Sequence, residues 1–381
     1  MAERQLPKLH TRVRFPSPAP STCSPDDVTE DFAVALTAWQ KRHGRHDLPW
    51  QGSREPYTVW LSEIMLQQTQ VAAVIPYYLR FLERFPTVKA LAEAPLDDVL
   101  ALWSGLGYYS RARNLHRAAQ TVMTLHRGKF PQTQEAIMEL PGIGRSTAAA
   151  ILVFAFGKRS AILDGNVKRV LARVRGIAGY PGESAVAAQL WREAEALLPQ
   201  NGVRPYTQGL MDLGATVCTR NRPRCAECPV ATLCVAFKDG RVSELPAPRP
   251  RKVLPQRRTM MLVLQRAGEI LLEKRPATGI WGGMWCFPEE DADADAVASC
   301  ARRYGATVTL GDPMPSIAHG FTHFRLDILP QPATVADWPQ RAGEPGCLWI
   351  APDEALRAAV PKPVRGIIEQ LLVAQSSRSN R

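Results

Sequence analysis

A mainly α-helical N-terminal region followed by a smaller α+β domain is the fold class the sequence predicts. Three observations predict it. From about Thr29 to Phe237 apolar residues recur at spacings of three and four, as in Phe32, Leu36 and Trp39 and in Leu96, Val99, Leu100 and Trp103. Residues 238–258 then change character, with Pro246, Pro248, Pro250 and Pro255 set among Arg249, Arg251, Lys252, Arg257 and Arg258. Beyond them the period becomes strand-like, at 260–265 and 269–274 across a short Arg-Ala-Gly turn.

The elements follow in chain order. Residues 1–28 read as a disordered extension, basic and Pro-rich (Arg4, Lys8, Arg12, Arg14, Pro16, Pro18, Pro20) and without the apolar core of a secretory signal. Residues 29–237 form the helical region, its short helices punctuated by Pro86, Pro95, Gly105, Gly128 and Pro141. Residues 238–258 are a stiff, basic, extended linker. Residues 259–375 form the smaller domain, with further strands at 325–329 and 348–350 and an amphipathic helix around 364–373, and 376–381 are a polar tail.

Composition bounds the function. The 381 residues are 45% hydrophobic and 22% charged, enough for real cores. Lys+Arg at 47 against Asp+Glu at 36 leaves +11, which favours a polyanionic partner, nucleic acid ahead of a membrane surface. No run approaches the ~18 apolar residues of a membrane span. The expected location is therefore cytoplasmic, near the nucleoid.

Four of the eight cysteines, Cys218, Cys225, Cys228 and Cys234, lie together with gaps of six, two and five residues. A disulfide scaffold spreads its pairs over a short secreted chain; one tight cluster in a long chain reads as a metal site. Only one pair has the two-residue gap of a zinc knuckle, so the spacing favours a 4Fe–4S cluster, with zinc as the alternative. Arg220, Arg222 and Arg224 sit between the first two ligands, where a rigid loop would present them to phosphate; a solvated loop face is the plainer reading.

Residues 140–144 read Leu-Pro-Gly-Ile-Gly, between a helical run at 134–139 and an Ala-rich one that follows Arg145, Ser146 and Thr147. Gly142 and Gly144 allow a tight turn and close approach of a phosphate, and the second helix N-terminus offers free amides to an anion. This is the helix–hairpin–helix pattern of sequence-independent DNA binding.

Two carboxylates complete the chemistry. Asp164 opens a helix in Leu-Asp-Gly-Asn-Val-Lys-Arg; taken alone it is an N-cap worth about 1 kcal/mol. Glu63 shares a helical face with Val59 and Trp60; taken alone it is a rim glutamate. Desolvation there raises its pKa and suits a general acid. Together they suggest glycosidic cleavage, with one carboxyl protonating the leaving group and the other facing an oxocarbenium-like sugar. On DNA, the target base has to be flipped out.

These motifs, in this order, resemble the MutY-type family of adenine DNA glycosylases within the helix–hairpin–helix superfamily. The segments that carry the resemblance are LPW at 48–50, WLSEIMLQQTQV at 60–71, GLGYYSRARN at 105–114, LPGIGRSTA at 140–148, ILDGNVKRVLARV at 162–174, MDLGATVCTR at 211–220, WGGMWCFP at 281–288 and GFTHF at 320–324. The resemblance implies a helix–hairpin–helix glycosylase fold with an iron–sulfur loop, then a MutT-like (Nudix) domain. It implies that Glu63 protonates the departing adenine, that Asp164 stabilises the sugar cation by charge or by a covalent bond, and that Asn166 lies beside it. It places Gln68, Thr69, Leu106 and Tyr108 on the DNA stack, while Gly142, Gly144, Ser146 and Arg220 are the further expected DNA contacts. It puts Gln208 in the adenine pocket, makes the four cysteines 4Fe–4S ligands, and gives Phe321, Thr322 and His323 to the reading of 8-oxoguanine. The implied partner is double-stranded DNA with A:8-oxoguanine or A:G mispairs, bound by a monomer.

Related enzymes that also cut the strand carry a catalytic lysine after the hairpin. Ser146 stands there, and a Schiff base needs an amine, so removal of the base by water is expected. Two departures from the family pattern stand out. Thr322 replaces the usual serine, and the smaller domain lacks the glutamate pattern that binds Mg²⁺ for pyrophosphate hydrolysis, Glu289, Glu290 and Asp291 reading as a solvated acidic loop. The rival readings are an endonuclease III-like lyase, a nucleotide pyrophosphohydrolase and a non-catalytic damage-binding protein.

Overall fold

The computed structural model describes residues 25–250, 253–339 and 346–379. Most of the expected extension 1–28, two linker residues and the last two of the tail lie outside the described residues.

Eleven helices build the N-terminal part: α1 (Pro25–His43), α2 (Pro56–Leu66), α3 (Val71–Arg84), α4 (Val88–Glu93), α5 (Leu96–Trp103), α6 (Ser110–Leu125), α7 (Gln134–Met138), α8 (Arg145–Phe156), α9 (Gly165–Val174), α10 (Ser184–Ala196) and α11 (Val203–Asp212). A π-helical turn, Leu213–Val217, leads to the cysteine loop, which ends in α12 (Val235–Lys238). No helix among the described residues is long and apolar enough to cross a membrane.

The helices pack as two lobes. Trp60, Leu61, Phe81, Leu100 and Trp103 of α2–α5 belong to one hydrophobic cluster, which takes in α2–α8 and continues into the second domain. Phe32 and Leu36 of α1 join Val170, Leu171, Tyr206 and Leu210 of α9 and α11 in the other. The Ala-rich α8 serves both: Ile151 and Leu152 enter the first cluster, Ala149 and Ala150 the second. Small side chains let neighbours approach this helix from both sides, and Gly157 ends it in the left-handed conformation. A cleft opens between the lobes.

The linker is shorter than composition suggests. Leu245 is buried in the second lobe, its carbonyl accepts from Arg173 Nε at 2.8 Å, and Ala247 N donates to Gly179 O at 3.1 Å. The first strand already begins at Gln256. Thus the chain stays docked through Ala247, and only a short run crosses between domains.

The second domain contains β1 (Gln256–Arg266), β2 (Glu269–Lys274), β3 (Trp285–Cys286), β4 (Glu289–Asp291), α13 (Ala296–Tyr304), β5 (Thr307–Leu310), β6 (Ile317–Gly320), β7 (Arg325–Asp337), β8 (Cys347–Ile350), α14 (Pro352–Ala355) and α15 (Lys362–Ser379). β1 and β7 pair in parallel at the centre, and the main order is β3-β2-β1-β7-β5. Alternation divides the strands between two faces: Leu262, Leu264 and Leu271 pack with Cys300 and Tyr304 of α13, whereas Met261, Val263 and Leu272 share a cluster with Val364, Ile367 and Ile368 of α15. β7 runs well beyond the expected 325–329, through Pro330 and Pro332. Both prolines face the gap where β6 has ended and β5 has not begun; their carbonyls accept there from Met314 and Gly311, so no ladder donor is lost.

The two domains touch directly. Ser104 Oγ donates to Val360 O at 2.6 Å, Arg113 Nη1 donates to Gly282 O at 2.8 Å, and Lys274 pairs with Asp97 at 2.7 Å.

Candidate active site

Glu63 and Asp164 enter one cleft of about 1120 Å³ from opposite lobes. Pro56 starts α2, which buries Val59, Trp60 and Ile64 and leaves Glu63 facing the cleft. Asp164 is the N-cap of α9, its Oδ1 accepting from Val167 N at 2.7 Å. The cap and the cleft position are compatible, because a carboxylate has a second oxygen to spare.

Electrostatics separates the pair. Burial pushes the Glu63 carboxyl up to about 8, and the nearby Asp164 charge adds to this. Burial also raises Asp164, but the amides of Val167 and Asn166 and the charges of Arg169 and Lys168 pull it back. Both carboxyls are raised, but opposed forces act on Asp164 and concordant ones on Glu63, which favours Glu63 as the one that keeps a proton. Two carboxyls in unlike environments thus face one space, an arrangement able to serve glycosidic cleavage.

The surroundings fix these groups. Ser146 Oγ accepts from Leu163 N at 2.9 Å, which ties the start of α8 to the residue before Asp164. Asn166 Oδ1 accepts from Arg169 Nη2 at 2.9 Å, and Gly214 in the π-helical turn lies against it; a Cβ there would stand 2.6 Å from Asn166 Cβ. Gln208 lines the cleft and donates from Nε2 to Asp212 Oδ1 at 2.9 Å. Asp212, fully buried, also holds Arg45 Nε at 2.7 Å and Arg45 N at 3.0 Å. Sequence reasoning missed Arg45 and Asp212, although Asp212 lies in the MDLGATVCTR segment; a carboxylate among apolar helix positions was the available signal.

The hairpin forms between α7 and α8. Gly142 is left-handed, at φ 81°, and a Cβ on it would strike Asn114 at 2.8 Å. Gly144 is the N-cap of α8, with open space where its side chain would be. Gln68 and Tyr108 are exposed at the cleft rim and nearby, and Thr69 is partly exposed. Leu106 is 7% exposed and packs with Trp103 and Tyr109 in the core, with glycines on either side turning the chain.

Cys218, Cys225, Cys228 and Cys234 all line one small apolar cavity. No three His, Cys, Asp or Glu side chains among the described residues are grouped tightly enough to grip a single metal ion. The four thiols line one space without a carboxylate, an all-sulfur donor set suited to a soft metal centre, iron–sulfur or zinc. Arg173 Nη1 lies 3.3 Å from Cys218 Sγ and supplies positive charge beside the thiols. Arg169 and Arg173, one turn apart on α9, connect this loop to the Asp164 turn through Cys218 O and Thr219 O. Arg220, Arg222 and Arg224 are exposed on the loop, Arg224 being paired with Glu227.

In the second domain Phe321, Thr322 and His323 form a tight turn closed by Phe321 N to Phe324 O at 2.9 Å. Thr322 and His323 are exposed, and Phe321 stacks on Phe324 at 4.5 Å. Glu290 is not a solvated loop residue: it lies in β4 and binds Arg302 and Arg303 of α13.

Comparison with known proteins agrees with this architecture. Residues 61–196 match the HhH-GPD superfamily of base excision DNA repair proteins, and residues 259–370 match the NUDIX domain. The helical part is similar to the solved structure of a thermostable thymine-DNA glycosylase, with TM-score 0.50 and 28% identity, covering 56% of this chain and 98% of that one. Fold and site therefore define a DNA glycosylase of the helix–hairpin–helix class, joined to a Nudix-like domain. The adenine DNA glycosylase of Buchnera aphidicola subsp. Acyrthosiphon pisum is 39% identical over 299 residues, 78% of this chain and 85% of that protein. That of Homo sapiens is 34% identical over 412 residues, 90% of this chain and 74% of that protein. The chain belongs to the adenine DNA glycosylase family.

Proposed function

We propose that this enzyme excises adenine mispaired with 8-oxoguanine, and less efficiently with guanine, leaving an abasic site and an uncut strand. The observation that carries the reading is the shared cleft of Glu63 and Asp164, with the proton held by Glu63. Glu63 gives that proton to a ring nitrogen of the extruded adenine, so the base departs neutral. Asp164 balances the cation that develops on the sugar, with Asn166 beside it, and water completes the hydrolysis. Gln208 contacts the adenine. Ser146 offers no amine where strand-cutting relatives carry their lysine, so efficient strand cleavage through a Schiff base at that position is not expected.

DNA is held by the amides at the start of α8, reached past Gly142 and Gly144, by Arg220 and by Gln68, Thr69 and Tyr108. The turn of Phe321, Thr322 and His323 reads the opposite 8-oxoguanine. Cys218, Cys225, Cys228 and Cys234 would hold a 4Fe–4S cluster, which when bound would fix the arginine loop. The working domains are 25–247 and 256–379, wider than the expected 29–237 and 259–375.

The test uses a duplex with a single A:8-oxoguanine pair, divided after incubation and treated with or without hot alkali. Strand breaks only after alkali are expected. Breaks without alkali would make the enzyme a lyase, and no breaks in either portion would end the catalytic reading.

A further inference from the structure

Arg111 belongs to the GLGYYSRARN segment, yet none of the roles above uses it. Its side chain is buried, with the residue 8% exposed, and its guanidinium lies between the Trp103 and Tyr108 rings, 5.4 Å from each centroid. Nη1 donates to the carbonyls of Ile64, Met65 and Gln67 at 2.9, 2.8 and 2.5 Å. Nη2 donates to Thr69 Oγ1 at 3.0 Å and to Gly107 O at 3.1 Å. One cation therefore closes the C-terminal end of α2 and clasps two separate loops.

The acceptors are informative. Gln68 and Tyr108 are both left-handed, at φ 57° and 51°, a conformation costly for residues with a side chain. Arg111 holds the carbonyl just before each: Gln67 O ahead of Gln68, Gly107 O ahead of Tyr108. Such backbone persists only where its surroundings over-determine it. Both strained residues are exposed, and Gln68 lines the cleft that holds Glu63 and Asp164. Lysine could supply the charge but not the planar fork that reaches both loops at once.

We propose that Arg111 is a positioning residue that locks the Gln68 and Tyr108 loops in a single register, so that they enter the DNA stack as one tool and drive adenine out of the helix. This rests on the reading that those two loops contact the DNA stack. The same guanidinium anchors the end of α2, three residues beyond Glu63, so extrusion and the acid are referenced to one point.

The test measures extrusion separately from cleavage, with 2-aminopurine in place of adenine as a fluorescent reporter, beside single-turnover excision of adenine. Arg111→Lys is expected to melt within a few degrees of wild type while extrusion and excision each slow by at least tenfold. Tyr108→Ala and Gln68→Ala should also slow extrusion, and adding either to Arg111→Lys should cost less than the product of the separate losses. If Tyr108→Ala and Gln68→Ala extrude at the wild-type rate, the DNA-contact reading itself fails. If they slow extrusion and Arg111→Lys does not, the positioning role fails. A measurement on the unmodified protein covers the case in which Arg111→Lys does not fold: amide hydrogen exchange at 67–69 and 106–108 should show one common protection, and two independent opening rates would overturn the proposal.

Discussion

Replacing Glu63 by glutamine should make the protein more stable and nearly inactive at the same time, and the size of the first effect follows from the site. The carboxyl titrates near 8 instead of the usual 4.5, with burial as the larger cause and Asp164 the smaller. Its value in the folded state lies above that in the unfolded chain, so the native protein keeps a proton that the unfolded chain releases. The carboxyl thus costs nothing below about pH 4.5 and progressively more as the pH climbs, levelling off above about 8. At about 1.4 kcal/mol per pH step, the ceiling is about 5 kcal/mol. Glu63 is partly exposed to the cleft, which screens part of that, and a little under half, about 2 kcal/mol, is the working figure. Glutamine mimics the neutral acid without the penalty. For a domain of this size that corresponds to a rise in Tm of about 4–8 °C at pH 9, shrinking to nothing near pH 4.5. Thermal melts of both proteins at pH 5, 7 and 9 measure it, beside an excision assay in which loss of the acid should cost at least ~100-fold. Equal melting temperatures at pH 9 would show that Glu63 is not desolvated, and the assignment of the proton would fall with it.

Three further outcomes follow from neighbouring geometry. Gly214→Ala places a methyl 2.6 Å from Asn166 Cβ and should displace the Asp164–Asn166 turn, cutting single-turnover excision at least tenfold while DNA binding holds. Ser146→Lys introduces an amine into the cleft beside Asp164, and borohydride should then trap a covalent protein–DNA adduct that the wild type does not form. Cys228→Ala should lower the iron content and visible absorbance of the purified protein and weaken duplex binding by loosening the Arg220 loop, detectable as a fall in affinity and in its salt dependence.

Much of the site was legible in the sequence because its parts are local. Asp164 as an N-cap, the Gly142–Gly144 turn and the cysteine spacing are written in consecutive residues, and the structure forms the cap, the turn and the thiol-lined cavity. What the sequence hid is non-local. Arg45 and Asp212 are 167 positions apart, and nothing in either segment announces the pair. Arg111 is one basic residue in a helical run by sequence, and only the fold shows its five acceptors, two on the end of α2 and three on two loops. The inward packing of Leu106 is likewise hidden, since an apolar residue between glycines has no pattern that says which way it turns. β7 was cut short at its prolines because strand propensity cannot see where a neighbouring strand is missing.

The central claim is that Glu63 delivers a proton while Asp164 remains an anion, and the pH profile of single-turnover adenine excision tests it most directly. Since the two carboxyls titrate as a pair, the profile reports the pair. The rate should hold through neutral pH and fall tenfold per pH step above about 8, where Glu63 loses its proton. A rate that stays level to pH 10 with DNA binding intact would contradict the account.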